Sequence, residues 1–183
     1  MALVLVVTGV GLVLAVLAWL PRVGSPLQGA ISAAMLAALL TVGGVLLFTN
    51  DGVAGWGDDS RALLLLVAGG FAVAGGGPLT TSVLAVVDRG SPPKQSTLQA
   101  GEVLRGGALI GALERGAIFA TLVSGWPEGL AIVLAIKGLA RYPELKSPDN
   151  PGAVTTHAVA ERFIIGSFTS VLWSIACAGL LLA

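Results

Sequence analysis

Residues 106–124 read GGALIGALERGAIFATLVS, with Glu114 and Arg115 side by side near the centre. Nearly ten apolar or small residues lie on each side of the pair, the length and composition of a helix that crosses a membrane. Placing a charge near the middle of such a helix costs about 2.5–3.5 kcal/mol on insertion scales. Charges kept there face the interior of a bundle and need partners. This stretch therefore predicts a transmembrane helix, and it predicts that neighbouring helices carry groups that answer Glu114 and Arg115.

The rest of the chain has the same character. Of its 183 residues 55% are hydrophobic and 11% are charged, with a mean hydropathy of +0.92. A soluble domain carries roughly 25% charged residues, so a water-facing surface cannot be made from this sequence. The expected fold is all-α: one polytopic integral membrane domain over residues 1–183, a bundle of about six transmembrane helices. Ten basic residues balance ten acidic ones, and nothing points to nucleic acid. Cys177 is the only cysteine, which excludes an intrachain disulfide, and His157 is the only histidine, which excludes a multi-His metal site on one chain. No P-loop, nucleophile elbow or H-E-x-x-H motif is present. No catalytic residue, metal or cofactor is expected.

Six apolar segments can be counted, at about 2–20, 28–49, 61–87, 106–124, 127–141 and 158–182. The first lacks a basic n-region and is too long for a signal-peptide core, so it reads as the first span. The fifth is short for the roughly 20 residues a span needs and crosses only if Lys137 and Arg141 snorkel. Charge alternates between the connections. Arg22, then Arg89, Lys94 and Arg105, then the segment from Lys146 to Arg162 make one side basic, while Asp51, Asp58, Asp59 and Glu128 fall on the other. Basic connections stay in the cytoplasm. The expected location is a bacterial inner membrane with both termini outside. Three N-terminal spans (1–87), a cytoplasmic linker (88–105) and a C-terminal charged unit (106–183) follow. Residues 142–156 hold three prolines and read as a loop, with Thr155 or Thr156 able to cap the last helix.

Two glycine patterns stand out. Gly107-xxx-Gly111 is a small-xxx-small spacing that favours close helix packing. In the third span Gly75, Gly76, Gly77 and Pro78 predict a helix kink or break, because Pro78 removes a backbone donor and the glycines are poor helix formers. The freed carbonyls must be satisfied by neighbours or by a cavity. Both a packing kink and a ligand-lining break are open.

The candidate buried charge network, or ligand site, consists of Glu114, Arg115, Lys137, Arg141, Glu161 and Arg162, with Ser167 and Ser170. Lys137 and Arg141 are one turn apart on one helix face. Four cations against two carboxylates leave an excess of positive charge, which a phosphate, carboxylate or lipid headgroup would neutralise. The alternative is structural, with Glu114–Lys137 and Glu161–Arg141 tying three helices together while Arg115 and Arg162 snorkel.

The same residues carry a resemblance. Gly107, Ile110–Gly111, Leu113–Glu114–Arg115, Lys137, Arg141–Tyr142, Ala160–Glu161, Ile165–Gly166–Ser167 and Ser170 follow in order a pattern G-x-x-I-G-x-L-E-R, K-x-x-x-R, A-E-x-x-I-G-[TS]-x-x-S. The C-terminal part so marked resembles the tail of a family of uncharacterised bacterial multi-pass inner-membrane proteins. The resemblance implies a membrane location and makes the charged residues one motif, without implying an activity. The first hundred residues lie outside it.

Three function classes remain. The first is a small transporter or channel for an ion or small anionic solute, expected to be a homo-oligomer because one short chain offers little room for a pathway. The second is a non-catalytic subunit or scaffold held to a partner membrane protein. The third binds or modifies a phospholipid headgroup, with membrane lipids as its partners.

Overall fold

The computed structural model describes residues 1–20, 25–48, 53, 55–88, 107–146 and 156–182. Among them are six helices: α1 (Ala2–Leu17), α2 (Ser25–Phe48), α3 (Asp58–Val87), α4 (Gly107–Val123), α5 (Glu128–Lys146) and α6 (Thr156–Leu182). The all-α bundle of a polytopic membrane protein expected from composition is the architecture found. Leu27–Leu46, Asp58–Val87 and Ala160–Leu182 are each long and apolar enough to cross a membrane. α1 is apolar but has 16 residues, about 24 Å at 1.5 Å per residue. α4 has 17 residues and carries Glu114 and Arg115.

The outer surface shows how the bundle meets its surroundings. On α1, Leu3, Val6, Val10, Val13 and Leu17 are exposed, while the opposite face buries Val4, Thr8, Gly11 and Ala15. Large apolar side chains outside and small ones inside are the arrangement of helices in lipid; in water such a surface would be an aggregation liability. The same holds for Leu109 and Leu113 on α4, Ile132, Ile136 and Leu139 on α5, and Ile164, Phe168 and Leu172 on α6.

α3 is the central post, packed against α1, α2, α4 and, most extensively, α6. Among the described residues α5 packs extensively against α4 alone. One hollow is lined by Trp19 after α1, Gln28 at the start of α2, Thr81 late in α3, Gly107 at the start of α4, Ala140 late in α5 and Arg162 early in α6. These positions therefore share one end of the bundle, the linker end, at which α3 ends and α4 begins. Successive helices alternate in direction.

The turn between α4 and α5 sets the depth of the charged pair. Gly125 has φ +75°, and the Trp126 N–H donates to Thr121 O at 2.8 Å while the Gly125 N–H donates to Leu122 O at 3.1 Å. This is a Schellman stop, with glycine at the left-handed position. Glu114 lies nine residues before the end of α4 and Lys137 nine after the start of α5. Folding the hairpin thus brings them to the same level, about 13 Å from the turn.

Two boundaries differ from expectation. α5 continues past Arg141 through Pro143 to Lys146, where the prolines predicted a loop from residue 142. One proline near a helix end removes a single donor and leaves the last turn able to form. α6 begins at Thr156, one of the two threonines expected to cap it and two residues before the apolar run counted from 158.

Candidate functional site

The third helix is not broken. α3 runs as one helix through Gly75, Gly76, Gly77 and Pro78, and side chains from elsewhere in the chain donate to its carbonyls. Pro78 has no N–H to give to Ala74 O; Trp19 Nε1 donates to that carbonyl instead, at 2.8 Å. One residue earlier, Arg115 Nε donates to Val73 O at 2.9 Å. Trp173 Nε1 donates to Phe71 O at 3.2 Å. Side-chain donors reach the backbone because the glycines leave room. A Cβ on Gly75 would lie 2.6 Å from Met35 Cε and Trp173 Cζ2, one on Gly76 would collide with Arg115 Cδ, and one on Gly77 would lie 2.7 Å from Trp19 Cζ2. The stretch is a seat for four large side chains, Met35, Trp173, Arg115 and Trp19.

Arg115 is the most deeply placed of the charges, with 4% of its surface exposed. Adjacent residues on a helix do not face the same way, which explains why Glu114 and Arg115 can stand together without pairing. Arg115 turns to α3 and α6, where Ser170 Oγ accepts from its Nη1 at 3.4 Å. Glu114 turns to α5 and pairs with Lys137. The Lys137 ammonium also sits 6.0 Å from the centroid of the Phe163 ring, within reach of a cation–π contact.

Arg162 pairs with Asp88 at 2.7 Å, a carboxylate just beyond the last residue of α3. Asp88 was missing from the expected network because it falls at the edge of the linker sequence. Its signal is the length of α3: thirty helical residues carry the chain to the level at which α6 starts. Glu161 is exposed and does not line the hollow. Arg141 lies on α5, but its side chain is outside the described residues, as is that of His157, so the expected Glu161–Arg141 tie falls there too.

The hollow at the linker end is a cavity of about 760 Å³. Glu114, Arg115, Lys137, Arg162, Ser167 and Ser170 all line it, together with Gly77 and Pro78. Most of the expected site residues are therefore brought to one place. Gly107 and Gly111, expected at a close helix crossing, are part of the wall instead, with a Gly111 Cβ position 3.2 Å from Arg115 Nη1. Trp19, Gln28, Thr80 and Thr81, which the sequence did not single out for the site, line it as well.

Two polar atoms of this lining are buried without a hydrogen-bond partner among the described residues: Arg115 Nη2 and Thr80 Oγ1. A buried donor left unmade costs about 1–3 kcal/mol, more for a charged group. The ion pairs sharpen the point. Lys137 has Glu114 and Arg162 has Asp88, while Arg115 has no carboxylate within ion-pair distance among the described residues. Among the described residues one positive charge of the cavity is uncompensated, and it is the most buried one.

Fold and site together define a helical membrane protein with a basic cavity at one end of its bundle. No protein-family model matches the chain, and no curated protein or solved structure is significantly similar to it.

Proposed function

We propose that the protein is a small carrier for an anionic solute, with Arg115 as the binding cation. The observation that carries this reading is the buried guanidinium that lines a cavity and, among the described residues, keeps its Nη2 unpartnered and has no carboxylate of its own. A purely structural clamp would pair its charges, because an uncompensated buried charge is expensive. The opposite half of the bundle is filled by Phe71, Trp173, Met35 and Leu64, which supports alternating exposure of a site rather than an open channel. In this reading the membrane is a bacterial inner membrane, the basic linker end is cytoplasmic by the positive-inside rule and both termini are outside. A homo-oligomer belongs to the same proposal, since α5 has one extensive neighbour and leaves its other flanks to lipid or a second copy.

The test is charge movement in proteoliposomes holding the full chain, recorded on a solid-supported membrane after jumps of inorganic phosphate, glycerol 3-phosphate or short-chain carboxylates. At least one anion is expected to evoke a saturable current that Arg115→Gln abolishes and Arg115→Lys partly keeps. No current with any anion, or currents indifferent to Arg115→Gln in protein that keeps its helical circular dichroism, would overturn the reading.

A further inference from the structure

Resting on the reading of Arg115 as an anion site, we infer that the ligand is an amphiphilic monoanion: a singly charged oxyanion, phosphodiester or carboxylate, that carries an apolar body. Charge balance gives the first half of this statement. Among the described residues around the cavity Arg115, Lys137 and Arg162 meet Glu114 and Asp88, and each of the last two cations is already engaged. One negative charge therefore neutralises this described set, whereas a dianion would leave it with a net negative charge. The donor set agrees. Among the described residues Arg115 Nη2 and Thr80 Oγ1 are the two buried side-chain polar atoms without partners, and a single oxyanion offers acceptors to both.

Size and wall give the second half. A cavity of about 760 Å³ is far larger than one oxyanion needs and falls in the range of about 300–1,000 Å³ that encloses whole organic ligands. Around the polar floor the wall is made by Trp19, Pro78, Ile110, Ala140 and Phe163, surfaces that a solvated inorganic ion would leave unused. α3 and α6 place the two kinds of lining in register. Gly76 and Thr80 are one turn apart on α3, and Gly166 and Ser170 one turn apart on α6. Arg115 lies over Gly76 and bonds Ser170, and Thr80 lies against Gly166.

Trp19 lines the cavity and reports on it. The full chain in a neutral maltoside is titrated with four probes while tryptophan emission is followed: octanoate, dioctanoyl phosphatidylglycerol, neutral dioctanoylglycerol and inorganic phosphate. Both eight-carbon anions are expected to give saturable changes at concentrations at least tenfold below phosphate and the neutral lipid. The tighter of the two tells whether the oxyanion comes from a lipid headgroup or from a water-borne carboxylate. Thr80→Val removes an unpartnered hydroxyl, so the protein is expected to fold as before while affinity for the tighter anion falls about tenfold, the worth of a hydrogen bond to a charged group. Binding of phosphate with neither octyl anion would overturn the amphiphile and leave the anion carrier standing. Binding of no anion would overturn both. Unchanged affinity in Thr80→Val would overturn the placement of the oxyanion between Arg115 and Thr80.

Discussion

Away from the linker end, α3 presents Leu64, Ala68 and Phe71 to the core, and α6 contributes Trp173, Cys177 and Leu180. The Phe71 and Trp173 rings meet edge to face at 4.8 Å between centroids. One to two turns further along the same two helices, the side chains become Gly76 and Thr80 on α3 and Gly166 and Ser170 on α6. The helices keep their course, but the volume between them is no longer filled from within. Arg115 enters part of that space and a cavity occupies the rest. The contrast shows that backbone geometry does not separate the closed half from the open one. Side-chain volume and polarity along two helices do, and they place an uncompensated charge where packing stops.

The contrast can be broken most severely in the packed half. Phe71→Ala removes a buried ring against Trp173 and is expected to cost about 3–5 kcal/mol, read as a lowered midpoint in thermal unfolding of the solubilised protein. A loss below about 1 kcal/mol would mean that this half is looser than described. Next comes Glu114→Gln, which strands the Lys137 ammonium. The pair keeps 17–19% of its side-chain surface exposed, so about 1–2 kcal/mol is expected rather than the larger cost of a dry pair. Adding Lys137→Met should return part of that loss, and a double-mutant cycle checks it.

Smaller effects sharpen the picture. Trp19→Phe keeps the ring beside Gly77 but takes the donor from Ala74 O, with about 1 kcal/mol expected. If the helix already satisfied that carbonyl, the same unfolding measurement would show no change. Asp88→Asn breaks a pair whose members are 37–41% exposed, and no more than about 1 kcal/mol is expected, shrinking as salt is added.

Much of this was legible in the sequence. The helix bounds follow apolar runs closely, and the Glu114–Lys137 contact follows from two residues equally far from a Gly-Trp-Pro turn. What escaped reading depends on which way side chains face once helices meet. Arg115 could equally have snorkelled toward headgroups; only the space left by Gly76 draws it inward. Gly75–Pro78 announces a missing donor, but the donor that replaces it sits at Trp19, more than fifty residues earlier. Thr80 gave no signal at all, since a hydroxyl in an apolar run ordinarily bonds back to its own helix, as Thr8 and Thr169 do.

The difference between the halves is tested most directly by thiol accessibility. Cys177, the chain's single cysteine, lies in the packed half with no exposed surface, and Ser167 lines the cavity. The native protein and a Ser167→Cys, Cys177→Ala variant are reconstituted in nanodiscs and treated with a charged, membrane-impermeant methanethiosulfonate. The native thiol is expected to stay unmodified while the thiol introduced at position 167 reacts and is protected by the anion that binds. Modification of Cys177 at a comparable rate, or no reaction at position 167, would contradict that difference.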